Sequence, residues 1–421
     1  MLRSMMFKTK YTLEIFSEET KGMKIFLLTP IYATTTQGAG ATPVVHYFAK
    51  EWVKQGHEVY VYNLQAKFPS IFYWIGKKFQ HQLNTRLGML VPTEKPTESF
   101  CVEDGVKIHR VCMKKMMPHS EYKCSQIDYA LKIIGEGCKE YGVPDVFVGH
   151  WDNPQMNILI RLKELYNRHT ALVLHNNEFN LEKTYGNEVV EHLKQIDVIG
   201  FRSLVGKKNF EAKYFVPKRS FIASSGVADV FIKEGETFVP SFNNAPRNFV
   251  FVGSLIARKY PCAILEALSK VYVDKDFHVT FIGDGSERGT IESYAKENNL
   301  EANCLFTGRV GRHEIIEHLK NSDVFVMISS GEIFGLVYLE AMALGLIPIG
   351  SKNEGIDGII QNGKNGFLCK AGDVNELSEV IARIKTMSNE ELAFISNNAK
   401  KTAQEYSDAN VAVCYLENLR V

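Results

Sequence analysis

Two glutamates eight residues apart, Glu332 and Glu340, lie in the largely apolar stretch SSGEIFGLVYLEAMALGLIPIG at 329–350. Gly335 is expected to open a helix that ends near Leu344. Glu332 is then expected at the tip of the preceding loop, just outside the helix N-terminus, and Glu340 a turn or more into the helix. Eight residues are about two turns of a regular helix, a spacing that would put both carboxylates on one side. A helix N-terminus can bind an anion, and a glycine there lets a ligand approach the bare backbone. The stretch could therefore offer amides to a phosphate and carboxylates to hydroxyl groups, the layout of a nucleotide-sugar. An exposed loop glutamate and a neutralised core glutamate would explain the same pair.

Alternating strand-like and helix-like segments must position this stretch. A strand at 23–30 leads through a glycine-rich loop to a helix at 44–54 and a strand at 57–63, which form a βαβ unit. The alternation restarts at 248 after the polar, proline-punctuated segment 233–247, where a domain boundary is expected. Further strand-like segments are 106–111, 145–150, 171–175, 248–255, 277–285, 304–310 and 323–330. The predicted fold class is α/β, with two doubly wound parallel sheets facing a cleft at the carboxyl ends of their strands.

The composition excludes several other classes of protein. The chain has 421 residues, 45% of them hydrophobic and 23% charged, and a formal net charge of +1, which argues against a general nucleic-acid binder. Its eight cysteines include no Cys-x-x-Cys pair, which favours reduced thiols in a cytosolic protein and disfavours a zinc site. The longest weakly charged run, 333–350, is interrupted by Glu340 and Pro348, which predicts a buried helix and strand rather than a membrane span.

The segment EIFGLVYLEAMALG resembles the pattern Glu-x-Phe-Gly-x-x-x-x-Glu-Ala-Met-Ala-x-Gly of the retaining GT-B glycosyltransferases of glycosyltransferase family 4. Further pieces follow in the family's order and at about its spacing: FVGSLIARKYP, FIGDGSERGTIE, FTGRV, NSDVFVMISS, EGIDGIIQNGKNGFL and GDVNELSEVI. The resemblance is close over 248–385 and loose over 23–230. It implies a GT-B enzyme that moves a sugar from a UDP- or GDP-sugar to a glycan or lipid-linked acceptor in cell-surface polysaccharide synthesis, with no bound metal or cofactor.

The same resemblance implies a division of the chain. Residues 1–22 would be an N-terminal extension, and 23–235 would form an acceptor-binding Rossmann-like domain. Residues 248–400 would bind the nucleotide-sugar, and the closing segment 401–421 would form a helix that packs back on the N-terminal domain.

It also assigns roles to individual residues. Glu340 would accept hydrogen bonds from both ribose hydroxyls, and Glu332 would contact hydroxyls of the donor sugar. The amides of Phe334, Gly335 and Leu336 would hold the distal phosphate or the sugar. Catalytic roles would fall to His150, Glu332 and Lys259.

The diphosphate would be bound by cations in GSLIARK. Lys259 matches the family's lysine, whereas Ser254 stands where an arginine is expected, and Arg258 could supply the second positive charge. Two cations matter because the leaving group gains negative charge as the glycosidic bond breaks. A solvated loop is the alternative for Arg258 and Lys259. The donor-binding set also includes Gly38, Gly40, Gly253, Arg309 and Val310, of which Arg309 would border the base.

The histidines that end strands are further candidates. His150 resembles the family's histidine beside the donor sugar, and His175 ends the next strand; a structural role is the alternative for each. Asp152 or Glu178 could replace either, and Asp284 is interpreted as a turn residue.

The segment 67–86, KFPSIFYWIGKKFQHQLNTR, mixes aromatic residues with lysines such as Lys77 and Lys78. Such a segment can lie on an anionic bilayer with its aromatic side chains inserted, and peripheral membrane association is therefore expected as a second property. A core-packing helix with a charged rim fits the same residues.

Three rival functions remain open. A dinucleotide-dependent oxidoreductase is suggested by GAGATP, but Pro43 replaces the third glycine and the second strand ends in Asn63 rather than an acid. A GT-B nucleotide-sugar epimerase and a non-catalytic nucleotide-sugar-binding protein would share the same cleft, and Ser254 favours the latter.

Overall fold

A computed structural model describes residues 22–34, 43–87, 93–117, 121–242 and 245–420. The described residues form two sheets, each covered by helices on both faces. The predicted Gly38 and Gly40, and nearly all of the expected N-terminal extension, lie outside the described residues.

The N-terminal sheet has eight strands in the order β3-β4-β2-β1-β5-β6-β7-β8, all parallel except β3. They are β1 (Lys24–Thr29), β2 (Glu58–Lys67), β3 (Ser99–Glu103), β4 (Val106–Lys114), β5 (Val146–His150), β6 (His169–Leu174), β7 (Val198–Phe201) and β8 (Ser220–Ile222). Apolar runs such as IFLL in β1 are buried on both faces, as parallel strands between two layers of helices require. The strands β3, β7 and β8 are not among the predicted ones.

The helices of this lobe are α1 (Val44–Lys54), α2 (Ser70–Leu87), α3 (Cys124–Tyr141), α4 (Gln155–Tyr166), α5 (Glu182–Tyr185), α6 (Val189–Gln195) and α7 (Leu204–Lys213). Alternate residues of β1 enter two separate cores. Ile25 and Leu27 pack with Trp52 of α1, whereas Phe26 packs against Phe147 in the core that α3 and α4 cover.

The C-terminal sheet has six parallel strands in the order β11-β10-β9-β12-β13-β14. They are β9 (Asn248–Val252), β10 (His278–Ile282), β11 (Cys304–Gly308), β12 (Val324–Val326), β13 (Ile347–Ser351) and β14 (Phe367–Cys369). Numbered within the sheet, this is the order 3-2-1-4-5-6 of a doubly wound Rossmann fold. The order reverses between β9 and β12, so a ligand is expected at the carboxyl ends of these two strands.

The remaining helices are α8 (Asp229–Thr237), α9 (Pro261–Val271), α10 (Arg288–Glu297), α11 (Arg312–Lys320), α12 (Leu336–Ala343), α13 (Val374–Lys385), α14 (Asn389–Glu405) and α15 (Asp408–Leu419). Val227 and Phe231 already belong to the C-terminal core, so the chain crosses between lobes before the expected position 235. Helix α14 also continues past the expected end of the C-terminal domain at 400.

Helix α15 returns to the N-terminal lobe. The indole Nε1 of Trp52 in α1 donates to the carbonyl of Ala412 at 3.1 Å, and Tyr415 packs on the Trp52 ring. No helix within the described ranges combines the length and apolar character needed to cross a bilayer.

Candidate active site

The turn between β12 and α12 is built around Gly335. Its φ of +78° places it in the left-handed region, and a Cβ on it would lie 2.6 Å from the ring of Tyr338. Only glycine fits there without strain. Helix α12 begins at the next residue, as the sequence predicted, so no side chain at position 335 covers its first amides.

Glu332 lies in the loop before α12, and Glu340 lies on the helix, as the sequence predicted. Side chains from elsewhere in the protein fix this loop through hydrogen bonds to its backbone. The carboxylate of Glu354 accepts hydrogen bonds from the amides of Gly331 and Glu332, at 3.0 and 2.8 Å. The carbonyl of Glu332 accepts from the side chain of Asn177 in the other lobe at 2.7 Å. Glu332 is therefore positioned by both lobes.

Two cations converge on the Glu332 carboxylate. Arg258 Nη1 and Lys259 Nζ each lie 3.7 Å from Glu332 Oε2. The Lys259 side chain is only 13% exposed, and burial lowers the pKa of its amine. A Cβ on Gly253, which follows β9, would lie 2.8 Å from Lys259 Nζ, so the glycine makes room for the amine. Lys259 is thus not a solvated loop residue.

Arg258 is more open, with 47% of its side chain exposed, and its Nη1 donates to the carbonyl of Ser330 at 3.3 Å. Ser254 is exposed. Arg258 therefore lies beside the loop that carries Glu332, where it can add a positive charge that Ser254 cannot.

Glu340 lies in the second turn of α12. Burial raises the pKa of its carboxyl to about 7, with the nearby Arg312 acting in the opposite direction. Among the described residues it forms neither a hydrogen bond nor an ion pair. Arg312 instead donates to the hydroxyl of Tyr47 in the other lobe at 2.9 Å. Its side chain is half-buried, and a desolvated carboxylate without a partner is costly in a ligand-free protein, as expected of a group that binds a ligand.

His150 and His175 form a buried pair at the ends of β5 and β6. His150 Nδ1 lies 2.9 Å from His175 Nε2, and the hydroxyl of Tyr415 lies 3.1 Å from His150 Nε2. Burial lowers the pKa of His150 to about 3 and also lowers that of His175, so both imidazoles are neutral at pH 7. Burial raises the pKa of Tyr415, so its hydroxyl keeps its proton.

These contacts couple the tautomers of the two imidazoles. If Tyr415 donates to His150 Nε2, His150 carries its proton on Nδ1 and donates to His175 Nε2; if the Tyr415 hydroxyl accepts from His150 Nε2, the direction of both hydrogen bonds is reversed. Both ring nitrogens of His150 are therefore engaged within the protein. Its predicted role beside the donor sugar remains a prediction, and His175 is the imidazole whose remaining nitrogen makes no hydrogen bond to the described residues.

One charged residue of the cleft was missed by the sequence reasoning. Arg202 directly follows β7 and is only 3% exposed. The signal was available, because a polar residue that ends a buried strand had already pointed to His150 and His175. The strand β7 has only four residues and was not recognised.

Other candidates lie apart from this cluster. Arg309 is exposed after β11, and Val310 packs against the C-terminal core. Asp284 accepts from the amide of Gly285 at 2.8 Å, consistent with a turn residue. Burial raises the pKa of Asp152, whereas Glu178 is exposed.

Two groups of acidic residues have the types of side chain that can bind a metal ion. His46 Nε2 lies 2.9 Å from Asp104 Oδ2, with Glu103 close by, but Lys50 Nζ is also 3.7 Å from Asp104 and already supplies a positive charge. The one Asp-x-Asp sequence, Asp274–Asp276, precedes β10 and so lies at the sheet edge opposite the cleft.

Comparison with known proteins identifies part of this chain. Residues 233–402, less than half of the chain, match the family model described as "Glycosyl transferases group 1". This segment is therefore similar to a group 1 glycosyltransferase domain. The segment carries Glu332, Glu340 and Lys259, and it includes the whole of the C-terminal sheet.

The curated relatives agree with this domain over part of their length. The chain is 36% identical over 129 residues to N-acetyl-alpha-D-glucosaminyl L-malate synthase of Bacillus anthracis, an alignment that covers 31% of this chain and 33% of the relative. It is 30% identical over 168 residues to an uncharacterized glycosyltransferase of Methanocaldococcus jannaschii, which covers 39% of this chain and 46% of the relative. The chain thus matches less than half the length of each.

Solved structures extend the likeness to both lobes. A glycosyltransferase from Rickettsia africae superposes with a TM-score of 0.68 at 17% identity, over 95% of this chain and 98% of that one. Anabaena HepE in complex with UDP and glucose superposes with a TM-score of 0.61 at 16% identity, over 94% and 99%. The predicted GT-B fold, two Rossmann-like domains around a cleft, is therefore confirmed.

Proposed function

We propose that this protein is a retaining glycosyltransferase that moves a sugar from a UDP- or GDP-sugar to a glycan or lipid-linked acceptor, in cell-surface polysaccharide synthesis. The observation that carries the proposal is Glu340, a half-buried carboxylate without a hydrogen-bond or ion-pair partner among the described residues, placed on the helix whose open N-terminus begins at Gly335. The two features lie in the segment that matches the group 1 glycosyltransferase model, at the switch point of the C-terminal sheet.

The roles follow the chemistry of each group. Glu340 would accept hydrogen bonds from the two ribose hydroxyls, which supply the partners that its oxygens lack. The first amides of α12 would bind the diphosphate or sugar oxygens. Lys259 and Arg258 would stabilise the negative charge that develops on the leaving diphosphate, and in the ligand-free protein Glu332 lies between them. On sugar binding, Glu332 would accept from sugar hydroxyls.

The chemical step would depend on positioning rather than on a protein nucleophile. The acceptor hydroxyl would approach the face of the sugar from which the diphosphate departs and lose its proton to the leaving phosphate. Closure of the two lobes would exclude water and limit hydrolysis. Metal independence is part of this proposal.

The names of relatives support the choice of substrates. One relative, from Escherichia coli, is named UDP-Gal:alpha-D-GlcNAc-diphosphoundecaprenol alpha-1,3-galactosyltransferase, which contains both a nucleotide-sugar and a lipid-linked acceptor. HepE was solved with UDP and glucose. A UDP-sugar donor and a lipid-linked acceptor are the first combination to test.

The decisive experiment incubates the protein with a panel of UDP- and GDP-sugars and measures release of free nucleoside diphosphate. A transferase releases it slowly to water and faster with acceptor. An epimerase would change the sugar without release, and a binding protein would turn over nothing. Glu340→Ala should abolish the thermal stabilisation by nucleotide, since loss of a diol partner lowers affinity by up to about a hundredfold. Glu379→Ala, an exposed glutamate on α13, is the matched control.

We also infer peripheral binding to the cytoplasmic face of a membrane through α2. Ile71 and Trp74 are each 60% exposed, and the Lys78 amine lies 5.2 Å from the Trp74 ring centroid. Exposed apolar side chains beside lysines suit an anionic bilayer. The protein should co-sediment with anionic but not neutral vesicles, and Lys77→Glu with Lys78→Glu should release it. Retained binding in that double variant would refute the surface; Lys132→Glu on α3 is the control.

A further inference from the structure

Arg202 lies where the two lobes meet. It follows β7 in the N-terminal lobe, and its guanidinium carbon lies 6.0 Å from the ring centroid of Phe48 in α1 and 5.6 Å from that of Phe334. Phe334 belongs to the other lobe and immediately precedes Gly335. The guanidinium is therefore placed beside the loop that leads into the N-terminus of α12.

Within the described part of the chain, no acidic side chain balances the charge of this guanidinium. Arg202 donates to the carbonyl of Ala223 and the hydroxyl of Ser225, which are both neutral. No carboxylate in the described ranges forms an ion pair with it. Burial lowers the pKa of Arg202, but only to about 10, so it remains a cation at neutral pH. Its neighbours His150 and His175 are neutral and add no negative charge.

A buried cation without a counter-charge is costly, and proteins normally pair such a group with a carboxylate or leave it exposed. Stacking against two aromatic rings recovers part of the cost. What Arg202 still lacks is a negatively charged partner. In the other lobe, Ser254 also stands where the resemblance to the family leads one to expect an arginine, so the cleft has one cation fewer than that pattern.

We propose that Arg202 binds a negatively charged oxygen group of the substrate, a phosphate or a carboxylate, and so supplies a cation to the cleft from the N-terminal lobe. The proposal rests on the proposed function, which places a nucleotide-sugar between the lobes. Two parts of the substrate carry such a group: the diphosphate of the donor, and an acidic substituent on the transferred sugar or the acceptor. The guanidinium can bind either one through two parallel hydrogen bonds.

The test uses the full chain and three variants. Arg202→Gln removes the charge but keeps an amide donor for Ala223 and Ser225, and Arg202→Lys keeps the charge but loses the planar fork. Arg219→Gln is the matched control, because Arg219 is an arginine of the same lobe that donates to the carbonyls of Asn418 and Arg420, at the C-terminal end of α15. Dissociation constants are measured by calorimetry for UDP, GDP, uridine and guanosine. Malonate and glycerol phosphate are then titrated into the complex with nucleoside diphosphate.

The two sources predict different results. If the diphosphate is the ligand, Arg202→Gln weakens binding of UDP or GDP by about tenfold to a hundredfold and leaves the nucleosides unchanged, with Arg202→Lys in between. If an acidic substituent is the ligand, nucleotide affinity is unchanged, and Arg202→Gln abolishes binding of malonate or glycerol phosphate to the nucleotide complex. If Arg202→Gln behaves as Arg219→Gln does with every probe, the guanidinium only braces the two rings and the proposal is overturned.

A second measurement tests the proposal on the wild-type protein, in case the Arg202 variants fail to fold. A crystal of the wild-type protein grown with UDP or GDP, and with malonate or glycerol phosphate, should place an anionic oxygen within about 3 Å of the Arg202 guanidinium. Occupied anions that all lie elsewhere would overturn the proposal. Failure of the proposed function has a different signature, because a protein that releases no nucleoside diphosphate from any nucleotide-sugar could still bind these anions through Arg202.

Discussion

Replacing Glu340 by glutamine should stabilise the ligand-free protein while destroying its nucleotide site. The carboxylate has no partner in the described structure, and its helix is otherwise apolar. Glutamine keeps the shape and removes the charge. A residue kept for folding alone would show the opposite effect, since its loss would weaken the protein.

The size of the effect follows from the pKa of Glu340, which burial raises from 4.5 to about 7. Between these values the folded protein holds a proton that the unfolded chain has lost, so stability falls as the pH rises through this window. One pKa unit corresponds to about 1.4 kcal/mol, so the full penalty above pH 7 is about 3 kcal/mol. At pH 5 it is below about 1 kcal/mol. The buried amide has its own cost, so Glu340→Gln should be about 2 kcal/mol more stable than wild type at pH 8.5 and nearly equal to it at pH 5.

Urea denaturation of both proteins at pH 5 and pH 8.5 measures this difference. Asp408 needs a parallel variant, Asp408→Asn, because burial raises its pKa to about 6 and it interacts with Glu340. The same samples are then titrated with UDP and GDP, which should stabilise the wild type but not Glu340→Gln. A glutamine variant that is less stable than wild type at pH 8.5, or whose advantage does not grow with pH, would show that Glu340 is a satisfied core residue.

Three further variants test how the site is held in place. Gly335→Ala puts a Cβ 2.6 Å from an aromatic ring at a positive φ and should lose about 1–3 kcal/mol in thermal denaturation; Gly331→Ala, also at positive φ but in open space, should lose less. Equal losses would mean that the ring contact is unimportant. Tyr415→Phe removes the hydrogen bond to His150 Nε2 and should change the tautomer balance of His150, visible in long-range ¹⁵N spectra, and should lower turnover more than nucleotide affinity; an unchanged spectrum would show that Tyr415 does not hold the His150 tautomer. Glu354→Gln leaves one acceptor for two loop amides, so donor affinity should fall, whereas an unchanged affinity would show that the loop needs no such clamp.

Local patterns predicted much of the fold because they depend on near neighbours. The helix expected at 44–54 is α1, with those bounds, and the strand at 145–150 is β5 less one residue. Gly335 was recognised as the start of a helix because a glycine followed by an apolar run is a local signal. The same applies to the alternation that indicated two Rossmann-like sheets.

Contacts between distant residues could not be predicted in this way. Tyr415 and His150 are 265 positions apart, and their hydrogen bond exists because α15 crosses back to the first lobe. Glu332 lies in the loop before α12 as expected, but the hydrogen bond that its carbonyl accepts from Asn177, 155 positions away, has no local signal in the sequence. The short strand β7 carries too few residues for a periodic signal, so Arg202 was not considered.

Two charged groups that form no ion pair with the described residues lie on opposite lobes. Glu340 is in the C-terminal lobe and Arg202 in the N-terminal lobe, and neither is among the groups that shift the other's pKa. They therefore do not compensate each other across the cleft. A nucleotide-sugar carries hydroxyl donors at its ribose and anionic oxygens at its diphosphate, so one molecule could satisfy both charges. Because each charge costs stability only while the cleft is empty, ligand binding should stabilise both lobes together, and the closed arrangement would be favoured only when the substrate is present.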